Sequence, residues 1–211
     1  MDTLTYIVDK YGLNIERRMP VEIPGMGRDN LAALFCELGF RTGAEIGVEA
    51  GLYSEVLCKA NPELKLYAVD AWKAYSGYRE HVTQSKLDAI FAQAQGRLVL
   101  HNCEIIRGFS MDTARLFEPN SLDFVYIDSN HSLPFVIADI HEWSKRVRPG
   151  GIIAGHDYKK TKAPIGMLHV VYAVQAYTGA YKISPWFVLG RREVRQGETR
   201  DKSRSWMWVK Q

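Results

Sequence analysis

Residues 42 to 57, TGAEIGVEAGLYSEVL, limit what this chain can fold into more than any other stretch. Ala44 to Val48 read as a short buried strand, Gly47 and Gly51 bracket a turn, and a helix opens near Tyr53. Glycine has no Cβ, so the backbone there can approach a ligand closely and take φ > 0. The helix start behind the turn offers unpaired N–H groups and the positive end of a dipole. A strand, a glycine turn and a helix in this order open the nucleotide site of an open α/β sheet. The turn lacks the third glycine of a dinucleotide fingerprint, and Glu45 and Glu49 flank its first glycine. Negative charge at that place repels a pyrophosphate and suits a cationic ligand with an amine and a ribose. Beyond Gly51 the apolar run LYAVD ends in Asp70, where an acid is placed for ribose hydroxyls.

The rest of the chain alternates strand and helix patterns. Residues 2 to 11 place Leu4, Ile7, Val8 and Tyr11 at helical spacing. MPVEIPGMG, with two prolines and two glycines, reads as a linker. A helix over Asp29 to Leu38 follows, capped by Asp29 or Asn30 and ended by Gly39. Further strands are expected at Lys65 to Asp70, Glu104 to Arg107, Leu122 to Asp128 and Gly151 to Gly155. Helices are expected at Tyr53 to Ala60, Ser85 to Gln95, Met111 to Phe117, Pro134 to about Val147 and Ile165 to Tyr177. Pro185 to Gly190 and Trp206 to Lys210 read as a closing antiparallel pair, with RREVRQGETRDKSRS as a polar, mobile loop between them. This alternation implies an α/β fold, a doubly wound, mostly parallel sheet with helices on both faces, in one domain over 1–211. Residues 1–39 would be a helical cover. Residues 71–100, with Trp72, Tyr75, Tyr78 and His81, are longer than the connection needs. They are either helix packing or an active-site flap.

AEIGVEAG with the strand-ending Asp70, then FVYIDSNHS and RPGGIIAGHDY, resemble class I S-adenosylmethionine-dependent methyltransferases. The branch they resemble is the methyltransferase 24 type, related to sugar and macrolide O-methyltransferases, over roughly residues 40 to 190. The resemblance implies a Rossmann-like sheet of seven strands in the order 3-2-1-4-5-7-6, with S-adenosylmethionine as cofactor. It implies that Gly47 and Gly51 face the cofactor and that Asp70 holds the ribose diol. Glu45 is then either a partner for the methionine ammonium or a structural group. Trp72 either packs on adenine or in the core. Tyr53 and Ser54 bind the methionine carboxylate or cap their helix. Relatives often place an acid after the glycine of the third strand to bind the adenine amine. Phe109 stands there, leaving adenine to backbone, to Ser110 or to ring packing.

Asp128 ends the fourth strand and Asp157 follows the fifth, each with a histidine nearby, His131 and His156. Two carboxylates at adjacent strand ends make either a divalent-metal site or a hydrogen-bond frame. In metal-dependent relatives such acids hold Mg²⁺ against the substrate hydroxyls. By resemblance Asp128 and Asp157 are the metal ligands here, with Asp128 also bordering the cofactor. His156, where relatives often carry an acid or amide, would soften the site toward Mn²⁺. Methyl transfer to a hydroxyl needs a lost proton, and a histidine can take it. His131 is the first choice of base and His156 the second.

The composition fits this reading. The 211 residues suffice for one full core. A net charge of +3 without an evident Lys/Arg cluster gives no duplex-binding face, so no nucleic-acid partner is expected. Cys36, Cys58 and Cys103 lack CxxC spacing, as reduced thiols in a cytoplasm do. MDTLTYIVDKYG has no signal-peptide pattern, and no apolar run is long enough to span a membrane. The expected activity is O-methylation of a small hydroxylated molecule, a sugar or natural product; a homo-oligomer stays open. The competing readings are an NAD-dependent oxidoreductase, disfavoured by the acids at the turn, and a non-catalytic Rossmann-like binding module.

Overall fold

A computed structural model describes residues 2–16, 18–75, 83–160, 168–198 and 200–211. Its strands form one sheet: β1 (Val21–Ile23), β2 (Thr42–Ile46), β3 (Lys65–Asp70), β4 (Cys103–Arg107), β5 (Leu122–Ile127), β6 (Val147–Gly155), β7 (Phe187–Leu189) and β8 (Trp206–Val209). The order across the sheet is β1-β7-β8-β6-β5-β2-β3-β4. Counted from β2, this is the expected 3-2-1-4-5-7-6 order with one strand added at the edge. β8 runs antiparallel to β6 and β7, and the other pairings are parallel. The added strand corrects the linker reading of MPVEIPGMG. Val21 to Ile23 pair with Phe187 to Leu189, and Val21 and Ile23 turn into the core. The prolines and glycines mark only the ends of this three-residue strand, which suits an edge position.

Among the described residues seven helices connect or precede the strands: α1 (Thr3–Tyr11), α2 (Arg28–Glu37), α3 (Leu52–Ala60), α4 (Gln84–Leu98), α5 (Ser110–Ala114), α6 (Leu133–Ser144) and α7 (Val170–Ala180). The part of the last expected helix before residue 168, and Tyr78 and His81, lie outside the described residues. Side chains of a strand alternate between faces, so each strand feeds two cores. Val125 and Ile127 join Val136, Ile140 and Trp143 of α6 and Val170 and Val174 of α7 on one face. Phe124 and Tyr126 join Ile7 of α1, Leu31 and Phe35 of α2 and Leu57 of α3 on the other. The N-terminal helices therefore cover one face. Phe35 stacks on Phe124 at 4.0 Å between ring centroids.

The cap of α2 was only half legible. Asn30 accepts the N–H of Gly27 at 2.9 Å. The N–H of Arg28 goes to the carboxylate of Asp201, 173 residues away, at 2.7 Å. α6 ends at Ser144, short of the expected Val147, and the strand expected from Gly151 begins earlier, at Val147, with Pro149 and Gly150 inside it.

Candidate active site

Parallel strands of a doubly wound sheet leave a crevice at their carboxyl ends where the strand order reverses. Here that point lies between β2 and β5, and the glycine turn fills it. Gly47 has φ 93°, and a Cβ on it would stand 2.3 Å from the carbonyl oxygen of Asp128. Only glycine fits. Gly51, at φ 76°, is the residue from which α3 departs. Glu49, Trp72 and Asp157 also have left-handed backbone, at φ 51°, 40° and 55°. Such conformations cost about 1–3 kcal/mol each and gather where a site dictates the backbone.

Asp70 fixes this turn. Its Oδ2 accepts the N–H groups of Val48 at 3.0 Å and Glu49 at 2.9 Å, and its Oδ1 that of Trp72 at 3.0 Å. The Trp72 indole N–H returns to the carbonyl of Glu49 at 2.9 Å, and its ring packs on Phe91 at 4.8 Å. A carboxylate has about four acceptor positions, so Asp70 retains capacity for a ligand hydroxyl.

A cavity of about 280 Å³ follows this edge. Glu45, Gly47, Tyr53, Asp70, Trp72, Phe109, Ser110 and Asp128 line it, joined by His131. Of the residues expected around a cofactor, Gly51 and Ser54 are not in the lining. Ser54 is fully buried and its hydroxyl donates to Glu45, so it neither caps α3 nor reaches the cavity. Burial pushes the Glu45 carboxyl well above the usual range, against the Ser54 hydrogen bond. Tyr53 donates its hydroxyl to the carbonyl of Arg28 at 2.8 Å and packs on Tyr126 at 4.5 Å. Phe109 is half-exposed and meets Tyr75 edge-on at 5.4 Å.

Asp139 escaped the sequence reading. It lies on the inner face of α6, 3% exposed, and borders the cavity. Ser110 donates to its Oδ1 at 2.5 Å and Ser129 to its Oδ2. Burial raises its pKa to about 6, against those two hydrogen bonds. The signal was available: an acid inside the apolar helical stripe of Val136, Ile140 and Trp143. Ser110 also accepts the indole N–H of Trp143 at 2.9 Å, so its hydroxyl is held from two sides.

At the other side of the crevice, β5 and β6 end together and bring three donors into one place. His131 Nε2 lies 3.2 Å from Asp128 Oδ1 and 3.3 Å from Asp157 Oδ2. One ligand atom from each of Asp128, His131 and Asp157 falls within 4.8 Å of the others. The nitrogen of this group is that of His131, whereas the sequence offered His156. His156 Nδ1 is 3.4 Å from Asp128 Oδ2 and 3.7 Å from Asp157 Oδ1, and His156 lines neither this cavity nor a neighbouring one. Its backbone N–H donates to Ile127 and its carbonyl accepts the indole of Trp206. Burial resists charge on His156, but the hydrogen bond and charge of Asp128, and the charge of Asp157, outweigh it and raise its pKa. Asp128 answers in the opposite sense. Burial would raise its pKa, and the hydrogen bonds from His131 and His156 bring it below the ordinary value.

This geometry agrees with what the chain resembles. The methyltransferase 24 family model, described as a methyltransferase domain, matches residues 44–158, more than half of the chain. No curated protein matches it. Among solved structures, the O-methyltransferase TomG from Streptomyces achromogenes, crystallised with S-adenosylmethionine, is similar at TM-score 0.60 and 18% identity, over 87% of this chain and 80% of that one. An O-methyltransferase from Bacillus cereus in complex with S-adenosylhomocysteine is similar at TM-score 0.59 and 16% identity, over the same shares. The matched segment runs from the strand before the glycine turn to the residue after Asp157, and so spans every site residue described above: the chain belongs to the methyltransferase 24 family, methyltransferase domains on the class I fold.

Proposed function

We propose that this protein methylates a hydroxyl of a small molecule with S-adenosylmethionine, beside a divalent cation held by Asp128, His131 and Asp157. The observation that carries the reading is one cavity lined both by the glycine turn with Asp70 and by Asp128 with His131. A donor site and a proton-accepting site then share one space. Two carboxylate oxygens and one imidazole nitrogen within 4.8 Å suit a hard to borderline cation such as Mg²⁺ or Mn²⁺.

S-adenosylmethionine supplies a methyl carbon that forms a C–O bond as its S–C bond breaks, leaving neutral S-adenosylhomocysteine and releasing the hydroxyl proton. A bound cation supplies Lewis acidity that lowers the pKa of a hydroxyl. The chain's part is to bind, orient and exclude water. Asp70 takes a ribose hydroxyl on its remaining acceptor position. Glu45, deep in the cavity, offers an acceptor oxygen to the methionine ammonium. Asp139, with Ser110, supplies at the adenine end the acid that the third strand lacks at Phe109. Trp72, Tyr75, Leu87 and Ile90 border the cavity and support reading the described residues 71–75 and 83–90 as part of its cover. His156 braces both carboxylates from behind. Three free thiols fit a reducing compartment such as the cytoplasm.

A second reading has its own observation. His131 Nε2 sits between two carboxylates, which fix the orientation of the ring. His131 is then a general base and the carboxylates are its frame. One experiment separates the two: turnover with an acceptor panel before and after chelation. Loss of activity on chelation, restored by Mn²⁺ or Mg²⁺, supports the cation. Full activity in chelator, abolished by His131→Ala, supports the base. No binding of S-adenosylhomocysteine in calorimetry overturns both.

A further inference from the structure

A second cavity, of about 960 Å³, is lined in part by Tyr158, Lys159 and Lys160, which follow Asp157. Four separate stretches build it: residues between 11 and 24, residues 158–160 just after Asp157, Val171 and Gln175 of α7, and residues of the β7–β8 loop from Arg191 to Arg204. Eight of its nineteen lining residues are Lys or Arg, and the only acid among them is Glu22. The whole chain carries a net charge of only +3, so a lining with one acid among eight cations departs from the average of the chain.

Part of that charge is already matched. Arg204 meets Glu22 at 2.6 Å and Arg191 meets Glu198 at 2.9 Å. Arg200 donates to the carbonyls of Arg191 and Arg192, which orders the loop and aligns its cations. Arg18, Lys202 and the Arg192 side chain have no carboxylate within ion-pair distance among the described residues. Like charges crowded around a concave surface repel one another and oppose folding, unless an anion sits among them. Guanidinium forks match phosphoryl oxygens in pairs, and lysine adds a point charge.

Lys159 joins this cavity to the candidate catalytic cluster. Its Nζ is 3.3 Å from Asp157 Oδ1 and 2.5 Å from the hydroxyl of Ser203. An acceptor with its anionic part among the arginines would therefore have its near end at Lys159, which contacts Asp157.

We propose that this cavity holds the anionic part of the acceptor, a small hydroxylated molecule carrying a phosphate or diphosphate, whose hydroxyl end reaches past Lys159 toward Asp157 and the cofactor cavity. The inference rests on the methyl-transfer reading and narrows its substrate class. A volume of about 960 Å³ is at the upper end of small-molecule sites, roomy enough for a nucleotide-sized ligand.

The test is a calorimetric titration of the intact chain with inorganic pyrophosphate, in metal-free buffer at physiological ionic strength. Inorganic phosphate, a single-stranded RNA oligomer and S-adenosylhomocysteine are titrated in parallel. Saturable pyrophosphate binding is expected, weakened about tenfold or more in Arg18→Ala/Lys202→Ala and again in Arg192→Ala. S-adenosylhomocysteine binding should stay unchanged in both variants, showing that they fold and keep the other site intact. Tighter binding of pyrophosphate than of phosphate marks a diphosphate ligand, and equal binding a monophosphate. The proposal is overturned if pyrophosphate shows no saturable binding at millimolar concentration while S-adenosylhomocysteine binds. It is equally overturned if the variants bind pyrophosphate as the parent does, or if the RNA oligomer binds more tightly than pyrophosphate. Absence of S-adenosylhomocysteine binding alone would instead strike the methyl-transfer reading.

Discussion

Asp70 and Asp139 show how one carboxylate can serve both the fold and the site. Asp70 holds the glycine turn through three backbone N–H groups and keeps an acceptor position toward the cavity. Asp70→Ala removes a charge-assisted hydrogen bond of about 1.5–3 kcal/mol to the ribose. Affinity for S-adenosylhomocysteine should drop about tenfold or more in calorimetry; unchanged affinity would leave Asp70 with the turn alone. Asp139 gives a pH dependence with a definite sign. Its folded pKa of about 6 stands above the ordinary carboxylate value of 3.8. Between those values the folded state keeps a proton that the unfolded state has lost, so stability falls as pH rises from about 4 to about 6. The shift corresponds to about 3 kcal/mol. Asp139→Asn should flatten this part of the pH–stability curve in urea unfolding. A slope identical to the parent's would show that Asp139 does not titrate there.

At the scale of elements, the β2–α3 turn and the start of α2 carry the clearest expectations. A side chain on Gly47 meets the Asp128 carbonyl and must also adopt φ 93°. Gly47→Ala should therefore destabilise the protein by about 1–3 kcal/mol or more and abolish cofactor binding, since the turn cannot keep its path past β5. Native-like unfolding with intact S-adenosylhomocysteine binding would refute this. Asp201 accepts an N–H at the start of α2 from across the molecule. Asp201→Ala should cost about 0.5–2 kcal/mol, the usual worth of such a cap, measured by the same unfolding curve with no change in cofactor affinity.

At the scale of the molecule, ligand binding should report on the cofactor class. S-adenosylhomocysteine at about a hundredfold its Kd stabilises the folded state by about 2.7 kcal/mol. For a chain of this size that is a rise of about 5–10 °C in Tm. NAD at the same concentration should leave Tm in place, because acids flank the first glycine of the turn where a pyrophosphate would lie. A larger shift with NAD would restore the oxidoreductase reading. Among the described residues no helix is long and apolar enough to cross a membrane.

The sequence by itself determined the features whose physical cause is local. Periodicity placed the strands to within a few residues, and β3 fully. Glycine chemistry marked the turn, and strand-ending acids marked Asp70 and Asp128; the resemblance they carried to the methyltransferase 24 family is borne out by the match over residues 44–158. The sheet order expected from that resemblance also holds, with β1 added. Tertiary structure decided whatever depends on convergence of distant segments. Val21 to Ile23 become a strand only because β7 offers an unpaired edge. His131 rather than His156 completes the three-donor group, because a loop conformation and not residue type decides which ring turns inward. Charge followed the same rule. Arg18, Lys159 and Lys202 form no cluster along the chain. They come together only when the N-terminal segment, the end of β6 and the last loop fold around one cavity.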